Sequence, residues 1–343
     1  MNIKAFLSAR SSTIHTLPIA ILYVTEGCNL QCIMCSYREQ RKDELSLSEI
    51  RALAISLHEF GLKRIVFSGG EPLLRKDFPE ICQIFSKLSV KLTLLTNGLL
   101  LHKRYEELKT YFEEIIVSID GPDEQTHNSI RGISAFSQIV KGIMHVRETS
   151  PTQNISIRTV LQKRNYERLA DMVRFAKEVG VNRISFLPAD VLSDSFGRFT
   201  QQTVENQKEI ILTEDEINRL RQIIKEMTST FRTEFETGFI SESPEKLHRI
   251  AHYYQALLEK ADFPPVLCNA PNVSLVIQSN GELLPCFFLP SFGNIRQTPI
   301  RDAINSQAIQ KTRTDVKKFE VERCKTCVCS LYVSLSRALV EKY

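Results

Sequence analysis

No run of about twenty consecutive apolar residues occurs in this 343-residue chain, so nothing in it reads as a membrane-spanning helix. The opening Met1-Asn2-Ile3-Lys4-Ala5-Phe6-Leu7 is interrupted too soon for a secretory apolar region. Dense Lys/Arg blocks are missing as well, and the formal net charge is only +4, so no nucleic-acid partner is evident. Internal repeats and low-complexity segments are also absent. With 43% hydrophobic and 24% charged residues the composition is that of an ordinary globular protein, and a cytoplasmic location is expected. Disulfides are disfavoured in that compartment, so nine cysteines need another explanation.

Cys82, within Phe78-Pro79-Glu80-Ile81-Cys82-Gln83-Ile84-Phe85, lies on the apolar face of a predicted helix and reads as a core thiol. The other eight form two groups: Cys28, Cys32 and Cys35 near the start, and Cys268, Cys286, Cys324, Cys327 and Cys329 near the end. The first group has the spacing C-x3-C-x2-C and directly follows the apolar run Ile19-Ala20-Ile21-Leu22-Tyr23-Val24. Three thiols so spaced can point inward around one compact inorganic core, one ligand fewer than a cubane cluster has irons. Such a cluster keeps one iron open. A structural zinc site usually recruits four protein ligands, and the nearest other candidate, His15, lies thirteen residues upstream of Cys28.

Short β-type runs at 19–24, 64–67, 91–96, 115–119, 155–160 and 183–187 alternate with amphipathic segments. One segment opens at Ser46 with Glu49 three residues on, a capping box, and carries Ile50, Leu53, Leu57 and Phe60 before Gly61 stops it. Six βα units predict an α/β fold with a parallel sheet and helices outside. Periodicity alone leaves a partial barrel and an open doubly wound sheet both standing. After about residue 190, Thr213 with Glu216, and Ser243 with Pro244, start two long helices. Beyond Phe263-Pro264-Pro265 the chain is turn-rich. The expected division is a core over 1–190, bridging helices over 191–262, and a small α+β cysteine-rich domain with a tail over 263–343.

Ser68-Gly69-Gly70-Glu71-Pro72 ends the second strand, and its glycines let backbone approach a ligand and leave N–H and C=O groups free to bind. With C-x3-C-x2-C at the preceding strand end, the chain resembles the radical S-adenosylmethionine superfamily, best over its first 190 residues. The resemblance implies a (β/α)6 partial TIM barrel. It also implies a [4Fe–4S] cluster held by Cys28, Cys32 and Cys35, whose open iron binds S-adenosyl-L-methionine. Met34 would lie against the adenine, and Gly69, Gly70 and Glu71 would grip the methionine amino group. Thr96 and Asn97 follow the third strand as in the family, Ser118 and Asp120 suit ribose or the methionine end, and Arg158 suits the cofactor carboxylate. One electron then cleaves the cofactor to a 5′-deoxyadenosyl radical that takes a substrate hydrogen atom. A flavodoxin or ferredoxin with its reductase is the expected electron donor.

In the second group, Cys268 is followed by twelve residues, Gly281, four residues and Cys286. Residues 273–286 read as a hairpin with a type I′ turn at Asn280-Gly281 that brings the two cysteines together. This opening is similar to the SPASM and twitch auxiliary-cluster domains. The full SPASM pattern has seven cysteines; here there are five, and none follows Cys329. The resemblance therefore implies one auxiliary [4Fe–4S] cluster on Cys268, Cys286, Cys324 and Cys327, with Cys329 spare or replacing Cys327. A four-cysteine zinc knuckle is the alternative for these thiols taken alone.

Asp190, Asp194 and Arg198 follow the sixth strand and either include a catalytic proton acceptor at the barrel mouth or form a solvated loop. His127-Asn128-Ser129-Ile130-Arg131-Gly132 resembles a loop of peptide-modifying members, or is a loop ion pair or helix cap. The run Leu331–Ser336 is expected to pack the tail against the auxiliary domain. The reading is a radical enzyme that oxidises a small molecule or a peptide, the latter including cross-link or epimer formation. Only about 18 residues precede the first strand, too few for the peptide-recognition domain of many maturases, which favours a small molecule or a partner-delivered peptide. A non-catalytic iron–sulfur or zinc scaffold is the rival.

Overall fold

Six of the apolar runs become parallel strands: β1 Ile19–Thr25, β2 Arg64–Gly69, β3 Lys91–Thr96, β4 Phe112–Ser118, β5 Asn154–Leu161 and β6 Arg183–Pro188. They lie in the order β6-β5-β4-β3-β2-β1, each linked by an outer helix. The computed structural model describes residue 8 and residues 11–198 and 204–334. Ala20, Leu22, Ile65, Phe67, Ile115, Val117, Ile155 and Ile157 pack one sheet face against the helices. Ile19, Ile21 and Tyr23 turn to the other face with Val276 and Leu284, and Cys28 and Cys35 pack beside them. Period-two alternation thus gives each strand two packed faces, and the cysteine loop touches residues of both clusters.

The local signals hold where expected. The helix Leu47–Glu59 starts in a Ser46/Glu49 capping box, and Glu214–Thr230 starts in one formed by Thr213 and Glu216. Ser243 caps Pro244–Leu257. Cys82 is buried. His127–Arg131 belongs to the helix Glu124–Arg131, and Asn128 Oδ1 accepts the Ala135 and Phe136 N–H groups at 3.0 and 3.1 Å.

Three features were not anticipated. The auxiliary hairpin joins the barrel sheet: β7 Ser274–Ile277 pairs parallel with β1, then β8 Glu282–Leu284 and β9 Gly293–Asn294 add antiparallel. Among the described residues the sheet therefore has nine strands, the last three from the part of the chain after residue 263. An eleven-residue helix, Gln307–Lys317, fills part of a stretch read as turns. The hairpin turn is also shifted by one residue. Gly281 N–H donates to Gln278 O at 2.9 Å, and Gly281 has φ +87°, whereas Asn280 is not in the left-handed region. A type I′ turn needs positive φ at both central residues, so the I′ expectation is corrected to a turn closed over Ser279-Asn280 with Gly281 taking the left-handed position after it.

Both sheet edges of the barrel are covered. β7 covers β1, and residues 239–241 run along β6, with Ile184 N–H on Phe239 O at 2.8 Å and Ser241 N–H on Ile184 O at 2.9 Å. Of the expected tail run, Leu331 and Val333 pack against Val273, while residues 335 and 336 lie outside the described residues.

Candidate active site

The loop carrying Cys28, Cys32 and Cys35 leaves β1 and is held from several sides. Cys28 N–H donates to Arg38 O at 3.0 Å, and Cys35 N–H to Cys32 O at 3.2 Å. Arg38 Nη2 donates to the carbonyls of Cys32 (3.3 Å) and Cys35 (2.9 Å). The end of the helix Glu124–Arg131 offers Arg131 O and Ile130 O to the N–H groups of Gln31 and Ile33 at 3.0 and 3.1 Å. From beyond β6, Phe196 O accepts Ser36 N–H at 2.9 Å and the Cys35 thiol at 3.5 Å.

Gly69-Gly70-Glu71 braces the same loop. Gly70 N–H donates to Thr25 O and Glu71 N–H to Gly27 O, both at 2.8 Å. A Cβ on Gly70 would lie 2.2 Å from Gly27 O, so only glycine permits this approach. The expectation that these amides stay free for a ligand is corrected: they hold the cysteine loop. The Glu71 side chain has internal partners as well. Fully buried, it accepts Thr96 Oγ1–H and Asn97 N–H at 2.7 Å and Leu73 N–H at 3.0 Å. Burial pushes its carboxyl up to about 7 against the pull of those three donors. Asn97 passes the brace on, its Nδ2 donating to Asn29 Oδ1 at 2.8 Å and to Cys28 Sγ at 3.9 Å.

Asp120 does not present its carboxylate to a ligand. It is fully buried, with Oδ1 accepting Val160 N–H at 2.8 Å and Oδ2 paired with Arg131 Nε at 2.7 Å. Arg131 Nη1 in turn donates to Cys32 Sγ at 3.8 Å. Asp120 thus holds the Arg131 cation against a thiol, which fits the ion-pair alternative read for the 127–132 run, though the thiol contact was not foreseen. The position of Arg131 at the end of a helix, just before Gly132, was the available signal. Ser118 and Arg158 lie in register across β4 and β5, and Arg158 Nε donates to Ser185 Oγ on β6 at 3.3 Å. Met34 is half-buried beside Ala189, Val191 and Ile210.

Of the proton-acceptor candidates, only Asp194 is exposed; it borders a cavity of about 340 Å³ with Tyr23, Tyr37 and Phe287. Asp190 and Arg198 are a buried ion pair, with side chains 2% and 4% exposed. Ser193 Oγ bonds the same carboxylate, and Arg198 also donates to Asp190 O at 2.8 Å and Met34 O at 3.3 Å. Arg323, next to Cys324, pairs with the other Asp190 oxygen at 2.5 Å. A carboxylate so occupied is a structural tie, which corrects its reading as a free proton acceptor.

Cys268, Cys286, Cys324, Cys327 and Cys329 all line one cavity with Phe288, Leu289 and Arg323. Backbone amides already point at the sulfurs: Ala270 N–H to Cys268 Sγ and Cys329 N–H to Cys327 Sγ, both at 3.4 Å. Burial pushes the thiols up, Cys286 to about 12 and Cys324 to about 11, and in the first group Cys28 to about 11. Such thiols become thiolates only beside a strong positive charge, which a metal core supplies. Among the described residues no three His, Cys, Asp or Glu side chains converge on a point where a single ion would sit. The five C-terminal thiols surround a space instead, as a multinuclear core requires. The C-terminal set therefore fits an iron–sulfur cluster, and the first set offers the three thiols of one braced loop.

Aromatic rings link the two sets. Phe196, whose carbonyl holds Cys35, stacks on Phe287 at 6.5 Å, and Phe287 stacks on Tyr23 at 6.2 Å. Arg323 lies 5.0 Å over Phe288. Sequence reasoning missed this cluster, since aromatic residues 196 and 287–288 carry no spacing signal.

Residues 22–176 match the Radical SAM superfamily and residues 268–328 match the SPASM iron–sulfur cluster-binding domain. The AdoMet-dependent heme synthase of Methanosarcina barkeri is 28% identical over 309 residues, 84% of this chain and 83% of that protein. GTP 3′,8-cyclase 1 of Mycobacterium tuberculosis is 32% identical over 170 residues, 46% of this chain and 47% of that protein. In fold the chain is similar to Streptococcus suis SuiB bound to its precursor peptide SuiA, with TM-score 0.66 and 18% identity over 96% of this chain and 74% of that one. It is also similar to anSMEcpe with bound AdoMet, with TM-score 0.62 and 18% identity over 91% of this chain and 86% of that one. The two domain matches imply a [4Fe–4S] cluster that works with S-adenosylmethionine, and an auxiliary cluster. Barrel topology, thiol spacing and both domain matches agree, and the chain belongs to the radical SAM superfamily, with a C-terminal SPASM domain.

Proposed function

We propose that the protein abstracts a hydrogen atom from a small-molecule or peptide substrate and oxidises it, with the auxiliary cluster as electron acceptor. Cys28, Cys32 and Cys35 are the proposed ligands of the first cluster, and Cys268, Cys286, Cys324 and either Cys327 or Cys329 those of the second. When bound and reduced, the first cluster supplies the electron that splits S-adenosylmethionine into methionine and a 5′-deoxyadenosyl radical. The chain's own residues position and shield. Gly70, Glu71 and Asn97 hold the Cys28 end of the loop, Arg131 holds Cys32, and Phe196 holds Cys35. Ser118 and Arg158, adjacent on β4 and β5, are the proposed contacts of the cofactor carboxylate.

One observation carries the oxidative reading. A cleft is walled on one side by Arg158, Ser185 and Leu187 of β5 and β6 and on the other by Cys327, Val328 and Cys329. A substrate there touches the barrel strands and the auxiliary loop together. The heme synthase relative, similar along most of the chain, supports a small molecule; SuiB, whose structure holds a precursor peptide, supports a peptide. A flavodoxin or ferredoxin is the proposed donor. Anaerobic reconstitution and reduction test the proposal. Iron in both sites with 5′-deoxyadenosine release supports it, and zinc with no deoxyadenosine would make the protein a scaffold.

A further inference from the structure

The cleft between β5, β6 and the auxiliary loop carries positive charge that the proposed chemistry leaves unused. It has about 190 Å³ of water-accessible volume, and its walls include Arg158, Lys246 and Arg249 against one carboxylate, Glu242. Lys246 and Arg249 are three positions apart on the helix Pro244–Leu257, so they project from one face at the solvent edge. Lys246 Nζ stands 3.7 Å from Glu242 Oε1. Arg249 donates only to the Pro265 carbonyl and has no ion-pair partner among the described residues.

Glu242 is a poor counter-ion for this set. It is 6% exposed, its Oε2 accepts Phe186 N–H at 2.8 Å, and burial pushes its carboxyl up. The auxiliary thiols account for some of the positive charge, since Arg158 and Lys246 are the cations that act on Cys329. Arg158 is in addition the proposed contact of the cofactor carboxylate. Neither duty reaches Arg249, and Lys246 has a single buried and already bonded partner. Two neighbouring cations on one cleft wall, without an adequate anion, form a site for one.

We infer that the substrate enters this cleft by a carboxylate, held by Lys246 and Arg249. Three positions apart on one helix, an ammonium and a guanidinium can share one carboxylate, a charge-assisted contact at the solvent edge of the cleft. The rest of the ligand then extends between Tyr253 and Cys329 toward Arg158. This names the substrate's recognition handle and rests on the proposed function. The carboxylate can belong to a small polycarboxylic acid or to an acidic peptide, and the two are separated by experiment.

Equilibrium binding to the oxidised, cluster-loaded protein, without reductant or S-adenosylmethionine, tests the site apart from turnover. The probes are citrate and a dansylated tetraglutamate peptide, each beside an uncharged counterpart, triethyl citrate and the tetraglutamine peptide. At least one carboxylate probe should bind and its uncharged counterpart should not; the one that binds identifies the source. Lys246→Gln and Arg249→Gln should each weaken binding at least about tenfold. Lys246→Arg and Arg249→Lys should retain most of it. Glu242→Gln, which removes the competing carboxylate, should tighten binding, an effect that loss of structure would not produce. Equal binding of charged and uncharged probes, binding of neither carboxylate at millimolar concentration, or unchanged affinity in the two Gln variants would overturn the site. If these results hold while the reduced protein releases no 5′-deoxyadenosine, the radical function falls and the anion site stands.

Discussion

Asp190 and Arg323, 133 positions apart in sequence, meet at 2.5 Å and tie the end of the barrel to the auxiliary cysteines. The second oxygen of Asp190 is held by Arg198 and Ser193, so one buried carboxylate joins the segment that braces Cys35 to the residue beside Cys324. Removing one partner of a buried ion pair leaves the other charged and unsolvated. Asp190→Ala strands two arginines and should cost about 3–5 kcal/mol, read as a lowered unfolding midpoint of the cluster-loaded protein. A variant that loses turnover with an unchanged midpoint would make Asp190 a catalytic base after all.

Arg131 makes a second buried link, between Asp120 and the Cys32 thiol. Arg131→Gln leaves Asp120 buried without its cation and should destabilise by about 3 kcal/mol, with reduced iron retention at the first site. Adding Asp120→Asn should recover part of that loss, because the uncompensated charge is then gone. A double-mutant cycle measures the coupling; strictly additive effects would contradict the pairing.

His127 is fully buried against Phe136, and burial beside Arg131 lowers it from 6.5 to about 3. The unfolded chain therefore binds a proton between those values that the folded chain refuses, so stability falls as pH falls. From pH 7 to pH 5 this costs about 2 kcal/mol, at about 1.4 kcal/mol per pH unit once the unfolded histidine is titrated. His127→Gln should show a correspondingly shallower loss in urea unfolding at the two pH values. Equal slopes in variant and parent would refute the assignment. Glu71, raised to about 7, contributes with the opposite sign from 4.5 upward and cancels in that comparison.

The cysteine triad, the GGEP turn and the six strands were legible because each is a local pattern. Strand periodicity needs only alternation, and C-x3-C-x2-C needs one loop. What escaped depends on distant partners. Nothing near Ser274 announces that β7 will pair with β1, some 250 positions away. Asp190 looked like a proton acceptor because its position after a strand suggests a barrel mouth, while Arg198 and Arg323, which occupy it, were not visible as neighbours. Glu71 and Asp120 show the same limit: a sequence shows a carboxylate but not the donors that surround it. The turn at Gly281 shows a subtler limit, where the residue type was right and the register was off by one.

The central claim is that Cys28, Cys32 and Cys35 hold a cluster that cleaves S-adenosylmethionine while the C-terminal thiols hold another. The direct measurement is iron content together with 5′-deoxyadenosine release, after anaerobic reconstitution and reduction, for the parent and for the triple variant Cys28→Ala/Cys32→Ala/Cys35→Ala. The parent should hold about eight irons per chain and release deoxyadenosine, and the variant should hold about four and release none, the counts expected for two cubane clusters and one. Continued cofactor cleavage by the triple variant would contradict the account.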